Sequence, residues 1–201
     1  MRSDAGPWFC SREFLSAYIS GYADGEGCFT VSISPRAKLL VGWEVRPSFS
    51  VSQNGDRAEV LHVMQAYFGC GSIRPDRSDK TLKWETRRLD DLVDRVVPHF
   101  ERFPLMSGKR LDFERFATVC RLAAAGAHRS RTGLIEIVEL PRKMNPSGKR
   151  RYDAEAILAS LRKQGEGIVC ASGNGGETRS SDLHEWRNDL GAVSSRDPVK
   201  L

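Results

Sequence analysis

Residues 19–27, which read Ile-Ser-Gly-Tyr-Ala-Asp-Gly-Glu-Gly, constrain the fold of this chain more than any other segment. The small residues Ala17, Gly21 and Gly25 recur at every fourth position, and such positions share one face of an α-helix. Glycine costs a helix roughly 1 kcal/mol relative to alanine, so the two glycines indicate that another helix packs closely there. Asp24 and Glu26 fall at the helix end, where the helix dipole repels anions. The pattern predicts a tightly packed helix whose terminal carboxylates are stabilised by a cation.

Alternating apolar and polar residues follow this helix. They predict four strands with one buried face each, at residues 29–34, 44–53, 72–74 and 82–88. Helical spacing predicts further helices at residues 57–68, 90–100, 108–125, 132–143 and 154–163. This order predicts an α+β fold, αββαββα, in which a saddle-shaped antiparallel sheet carries helices on one face and extra helices follow at the C-terminal side.

The outward face of the predicted sheet combines short hydroxyl side chains with cations and a single acid. Its members are Thr30, Ser32, Ser34, Arg46, Ser48, Ser50, Ser52, Ser72, Arg74, Lys83, Glu85 and Arg87. Arginine can read guanine through two hydrogen bonds, and hydroxyls can bond phosphates or base edges. We therefore predict a DNA-binding face, read mainly by Arg46 and Arg74. On composition alone, an ordinary solvated face is an equal alternative.

Charge distribution supports a polyanionic partner. The net charge is +5 and the sequence pI about 9.1. Residues 164–201 hold four basic and six acidic side chains, which leaves +7 for residues 1–163. The basic connection at 35–42 adds Arg36 and Lys38, which we expect to contact phosphates without sequence preference.

The chain is predicted to form one domain over residues 1–163, followed by a disordered tail at 164–201 that is rich in glycine and serine. A short helix is predicted at 182–190 within the tail. No apolar run is long enough to span a membrane and no signal-peptide core is visible, so we expect a soluble intracellular protein.

Cysteine and histidine patterns argue against a zinc site or a disulfide framework. The five cysteines are scattered without a CxxC pair, and Cys28 and Cys120 lie in apolar runs that predict burial. The histidines at 62, 99, 128 and 184 have no ligand partner at metal-binding spacing, and we expect surface or helix positions for them.

Residues 19–27, with the following run Cys-Phe-Thr-Val-Ser-Ile, resemble the LAGLIDADG motif of homing endonucleases. The resemblance covers about residues 12–120 well and 121–163 loosely. Three features depart from the family pattern. Ile19-Ser20 replaces the usual first pair, Glu26 replaces an aspartate, and Pro75 interrupts the third strand.

The resemblance implies a site for metal-dependent hydrolysis of phosphodiester bonds. Glu26 would bind Mg²⁺ or Mn²⁺ together with the Gly25 carbonyl, since hard cations prefer oxygen ligands. Gln53 would position the attacking water, and Lys109 would lie near the scissile phosphate. Arg110 is the alternative for that cation. Asp24 would be structural, bonding backbone amides.

A chain with one motif implies a homodimer on a long, near-palindromic DNA site. The motif helices would meet through Ala17, Ser20, Gly21 and Asp24. The expected function is site-specific cleavage of double-stranded DNA at an intron- or intein-associated locus. Two alternatives share the fold: an RNA maturase that promotes intron splicing, and a DNA-binding regulator without catalysis.

Overall fold

The computed structural model describes residues 11–76, 81–145 and 153–169. Within them the elements are α1 (Arg12–Glu26), β1 (Gly27–Pro35), β2 (Trp43–Asn54), α2 (Glu59–Phe68), β3 (Ser72–Pro75), β4 (Thr81–Thr86), α3 (Leu89–Asp91), α4 (Val97–Arg102), α5 (Lys109–Ala124), α6 (Arg131–Arg142) and α7 (Ala154–Val169). A π-helical stretch, Leu92–Val96, joins α3 to α4. The predicted order αββαββα with added C-terminal helices is confirmed.

Helix α1 begins and ends as its sequence dictates. The Ser11 hydroxyl caps the first turn by accepting a hydrogen bond from the Phe14 amide at 3.1 Å. At the other end the chain passes directly from the helix into β1 at Gly27. A Cβ at this position would lie only 2.6 Å from the Ala23 carbonyl oxygen, so only glycine fits the junction.

The four strands form one antiparallel sheet in the order β1-β2-β4-β3. Residue pairs such as Thr30 with Ser48 and Ser50 with Glu85 lie directly opposite each other. Since side chains alternate between the faces of a strand, this register places the predicted hydroxyl and cationic residues on one face. The mixed helix and antiparallel-sheet class is as predicted.

The core lies between the opposite face of the sheet and the helices. Phe29 and Phe49 stack at 4.7 Å between ring centroids, and the ring of Phe100 from α4 meets both edge-on. Phe113 and Phe116 of α5 pack against Phe29 from the same side. Aromatic packing therefore fixes α4 and α5 against β1 and β2.

A second apolar cluster joins α6 and α7 to the β1–β2 hairpin. Its buried members are Val41, Leu134, Val138, Ile157, Leu158 and Leu161, and half-buried Trp43 packs against them. The Trp43 indole nitrogen also donates to the Ser160 hydroxyl at 3.0 Å. The C-terminal helices thus support the hairpin from outside the main core.

Several boundaries differ from the sequence prediction. A 3₁₀ turn, Gly55–Arg57, precedes α2, which begins at Glu59 rather than at 57. Helix α7 extends to Val169, beyond the predicted domain end at 163. The predicted helix at 182–190 and the connection at 77–80 lie outside the described residues. Cys28 is exposed on the outward face of β1, so its predicted burial was wrong, whereas Cys120 is buried.

Candidate active site and nucleic-acid interface

The end of α1 gathers oxygen ligands and a cation. The Glu26 and Gly25 residues are exposed there. The Lys109 ammonium, from the first residue of α5, donates to the Gly25 carbonyl at 3.0 Å and to the Ala23 carbonyl at 3.2 Å. A positive charge on these carbonyls of the last helical turn offsets the negative end of the helix dipole. The sequence predicts a cation near the carboxylates of Asp24 and Glu26 at this helix end. Lys109 is a cation in that position.

Asp24 links α1 to the loop before α5 through hydrogen bonds. Its carboxylate accepts hydrogen bonds from the amides of Met106 at 3.0 Å and Ser107 at 2.9 Å, and from the Ser107 hydroxyl. Burial would raise the pKa of Asp24, but these hydrogen bonds and the charge of Lys109 outweigh it and hold that pKa below its usual value. The carboxylate thus fixes the segment from which Lys109 extends.

Gln53 lies beside the same helix end. The Val51 residue pairs with Gly27 at the α1–β1 junction, and Gln53 follows two positions later on β2. Its side-chain nitrogen donates to the Tyr22 hydroxyl of α1, and its oxygen accepts from the Asn54 amide at 2.8 Å. The fold thus places the three residues predicted to be catalytic, Glu26, Gln53 and Lys109, around one end of α1.

Arg110, the alternative to Lys109, has a different environment. Its guanidinium donates to Glu114 at 2.9 Å in an exposed pair one turn along α5. Lys109 reaches the α1 carbonyls from the preceding position. The geometry thus favours Lys109 as the cation of the site.

The outward sheet face matches the predicted set in register but differs in exposure. Exposed or half-exposed members are Thr30, Ser32, Ser34, Arg46, Ser48, Ser52, Ser72, Arg74, Lys83 and Arg87. Ser50 and Glu85 are 4% and 7% exposed, so predicting them as direct DNA contacts was wrong. Glu85 is covered because Arg74 and Arg87 both bond to its carboxylate.

The connection between β1 and β2 is also less free than predicted. Lys38 is exposed, but Arg36 is paired with Glu44. Sequence reasoning missed Glu44, although it shares the outward parity of Arg46 on the same strand. Its outward parity and the two arginines nearby were the signals that could have identified Glu44.

The outer face of α1 is open. Ala17 and Gly21 are exposed, and a Cβ at Gly21 would meet nothing within 4 Å among the described atoms. Phe14 and Tyr18 flank them, 39% and 46% exposed. Ser20 points inward instead: its hydroxyl donates to the Phe103 carbonyl at 2.7 Å. The prediction that Ser20 lies in a dimer interface was therefore wrong. Asp24, which was predicted for the same interface, is half-buried and bonds to the loop at 106–107.

The inward contact of Ser20 belongs to a buried polar cluster that sequence reasoning missed. The His99 ring bonds the Ser20 hydroxyl at 3.1 Å and the Tyr67 hydroxyl at 2.9 Å. Tyr67 in turn bonds the Ser16 hydroxyl at 2.7 Å. Burial lowers the pKa of His99 to about 4. Its partners are distant in sequence, so no local pattern indicated this role.

Oxygen donors at the end of α1 suit a hard divalent cation. One carboxylate and one carbonyl per chain make an incomplete coordination shell, and no described group of three His, Cys, Asp or Glu residues could hold a metal. Mg²⁺ keeps several waters and takes few protein ligands, so Glu26 and Gly25 fit that chemistry. No helix in the described segments is long and apolar enough to span a membrane.

Comparison with known proteins decides the family. The sequence pattern of the LAGLIDADG endonuclease family matches residues 19–120. The chain belongs to this family. It is 32% identical over 151 residues to homing endonuclease I-ApeII of Aeropyrum pernix, a match that covers 72% of this chain and 88% of that protein.

Solved LAGLIDADG-type structures share the fold. The archaeal intron-encoded homing endonuclease I-Vdi141I, in complex with DNA, superposes with a TM-score of 0.71 at 25% identity, over 78% of this chain and 99% of that one. I-SmaMI, bound to an uncleaved DNA target in the presence of calcium ions, gives a TM-score of 0.66 at 26% identity, over 74% and 49%. Two longer intron-encoded relatives from Neurospora crassa also match this chain. The matched part of the chain spans only 29% and 24% of their lengths.

Proposed function

We propose that this chain is a site-specific endonuclease that hydrolyses both strands of a long, near-palindromic DNA target as a homodimer. The observation that carries the proposal is the exposed Glu26 carboxylate at the end of α1, with the Gly25 carbonyl and the Lys109 ammonium beside it. This group of residues adjoins a sheet face rich in hydroxyls and arginine. Two proteins to which this chain is similar, I-ApeII and I-Vdi141I, are named as homing endonucleases.

The residues of the site divide the chemistry among them. Glu26 and the Gly25 carbonyl would hold a divalent cation, Mg²⁺ or Mn²⁺. Such a cation, when bound, supplies activation of the attacking water and stabilisation of the leaving oxygen. Lys109 places positive charge beside the scissile phosphate. Gln53, fixed by Tyr22, orients the water for in-line attack.

The outer face of α1 supports the homodimer part of the proposal. Among residues 11–76, 81–145 and 153–169, no neighbour of Gly21 requires a glycine, yet glycine weakens the helix. Exposed Phe14 and Tyr18 flank it. A second copy packed on this face would bury these rings and bring two Glu26 sites together, one for each DNA strand.

The test separates binding from cleavage. Duplexes are selected from a randomised library in EDTA, and the selected sequence is cloned into a plasmid and incubated with Mg²⁺. The wild type should linearise this plasmid. Glu26→Gln should bind it with similar affinity and cleave about 10²–10³-fold more slowly, the usual loss when one electrostatic group leaves a reaction centre. Glu59→Gln, at an exposed position of α2, is the charge-matched control.

Other results would identify the alternatives. Selective binding without cleavage by the wild type would indicate a DNA-binding regulator. Tight binding of the host intron RNA, together with accelerated splicing and no cutting of DNA, would indicate a maturase. Near wild-type cleavage by Glu26→Gln would show that the site lies elsewhere.

A further inference from the structure

The arginines of the sheet face are held by acids before any DNA is present. Arg74 of β3 and Arg87, just beyond β4, both bond to the Glu85 carboxylate, and Arg87 does so through Nε at 2.9 Å and a terminal nitrogen at 3.1 Å. The Glu85 side chain is 6% exposed, whereas those of Arg74 and Arg87 are 50% and 57% exposed. The acid is therefore covered by two guanidinium groups that themselves face solvent.

A second acid repeats this arrangement near the β1–β2 hairpin. Glu44 accepts hydrogen bonds from Arg36 at 2.9 and 3.0 Å and pairs with Arg46 at 2.6 Å. Burial would raise the pKa of Glu44, but the two guanidinium groups outweigh it and lower that pKa. Glu44 is thus ionised under neutral conditions and holds both arginines.

The two clusters occupy separate positions on the sheet. Glu85 lies opposite Ser50 on one side and Ser72 on the other, one residue before the end of β4. Glu44 lies opposite Ser34, next to the hairpin. A duplex lying across this face would meet one arginine pair at β3 and the end of β4, and the other beside the β1–β2 hairpin.

From this geometry we infer that Glu44 and Glu85 are specificity-determining positioning residues. The inference rests on the proposed function, because it requires that this face reads DNA. A guanidinium has five donors in a rigid fork. Each carboxylate occupies one or two of them and leaves the others available for base edges. An arginine fixed in advance loses less freedom on binding, so a correct base is favoured more strongly over a wrong one.

The negative charges act on general affinity in the opposite direction. The carboxylate held by each arginine pair reduces the positive potential that attracts the phosphates of any duplex. The two acids therefore lower binding to random DNA and sharpen the preference for the target. Residues that only stabilise the fold would change binding to both kinds of DNA in the same direction.

The experiment measures these two quantities separately. Glu85→Gln and Glu44→Gln are prepared in the full chain and used in selection from a randomised duplex library without metal. Their affinities for the wild-type target and for random duplex are also measured. Each change should raise affinity for random DNA and lower the target-to-random ratio by roughly tenfold, within the range for one arginine–guanine pair.

The positions affected provide the decisive comparison. Glu85→Gln should relax the same target positions as Arg74→Ala and Arg87→Ala, and Glu44→Gln the same positions as Arg46→Ala. Glu101→Gln is the matched control, because it removes an acid paired with Arg121 on helices behind the sheet. It should leave the selected sequence unchanged.

Three outcomes would overturn the inference. If the variants select the wild-type sequence with an unchanged target-to-random ratio, the acids do not position the readers. Equal weakening for target and random DNA, with a lowered melting temperature, would assign them a structural role only. A wild type that selects no sequence would overturn the proposed function, and the inference with it.

Discussion

At the scale of single residues, His99 shows how burial controls a charge in this protein. The ring lies between the hydroxyls of Ser20 and Tyr67 and is 6% exposed. Burial lowers its pKa from 6.5 to about 4. Protonation is therefore easier in the unfolded chain, so the stability gained from a neutral ring is complete above pH 6.5 and is lost as the pH falls towards 4.

This pKa difference leads to a prediction about stability. Between pH 6.5 and 4, His99 should account for a loss of about 3 kcal/mol in the free energy of unfolding. Urea denaturation at several pH values measures this loss of stability. Comparison with His99→Gln subtracts the part that comes from the titration of carboxylates. The variant should lose less stability than the wild type over this range. His62→Gln, at an exposed position of α2, should keep the wild-type slope; equal slopes for all three proteins would contradict the assignment.

A second residue-scale prediction concerns the cation of the site. Because Lys109 bonds the Gly25 carbonyl and Arg110 bonds Glu114, only the first should contribute to cleavage. Lys109→Ala should slow cleavage of the selected target, but by less than Glu26→Gln, and so should Gln53→Ala. Arg110→Ala is the neighbouring control and should cleave at close to the wild-type rate. Single-turnover cleavage rates with Mg²⁺ measure all four variants, and a larger loss for Arg110→Ala would reverse the assignment.

At the scale of secondary-structure elements, the hairpin formed by β1 and β2 depends on α7. Leu161 is fully buried in the cluster that contacts Val41, and Ser160 accepts the Trp43 indole hydrogen bond. Arg36 and Lys38 lie in the connection between these strands. Packing of the C-terminal helices therefore stabilises the segment that carries two predicted DNA contacts.

We predict that Leu161→Ala lowers the free energy of unfolding by about 2–5 kcal/mol, the usual range for a buried leucine. Amide hydrogen exchange should increase at the hairpin end, around Val41 and Trp43, more than at Val51 in the main core. Lys163→Ala, at an exposed position of the same helix, is the control and should change neither quantity. Uniform exchange across β2 would show that the hairpin does not depend on α7.

The strands were the elements most accessible to sequence reasoning. Side chains along a strand alternate between the two faces of the sheet. Once the apolar Phe49 is placed on the buried face, its neighbours Ser48 and Ser50 must therefore lie on the outward face. Exposure within the outward face was not predictable, because Glu85 is covered by arginines from other positions in the sheet. Ser20 likewise follows a helical period, but its inward direction depends on Phe103, which is 83 residues away.

At the scale of the whole molecule, the motif could be read from sequence because it is local, whereas the group of residues around it could not. Glu26 and Asp24 follow from nine consecutive residues. The loop that Asp24 fastens, and Lys109 beyond it, come from more than 80 positions later, and only the family resemblance connected them. Long-range contacts of this kind leave no period in the sequence.

The oligomeric state provides the last prediction. The solution mass should be about twice 22.5 kDa, because a single exposed Glu26 per chain cannot serve two DNA strands. Gly21→Val should give the monomer mass, since a β-branched side chain on the open face of α1 would separate two packed helices. In the part of the chain that the structure describes, no neighbouring atom lies within 4 Å of the added Cβ, so the monomer fold should survive, as circular dichroism can verify. Ala66→Val, on the exposed side of α2, is the matched control and should remain dimeric. A Gly21→Val protein that is monomeric on the target and still cuts both strands in one binding event would disprove the helix-pair interface.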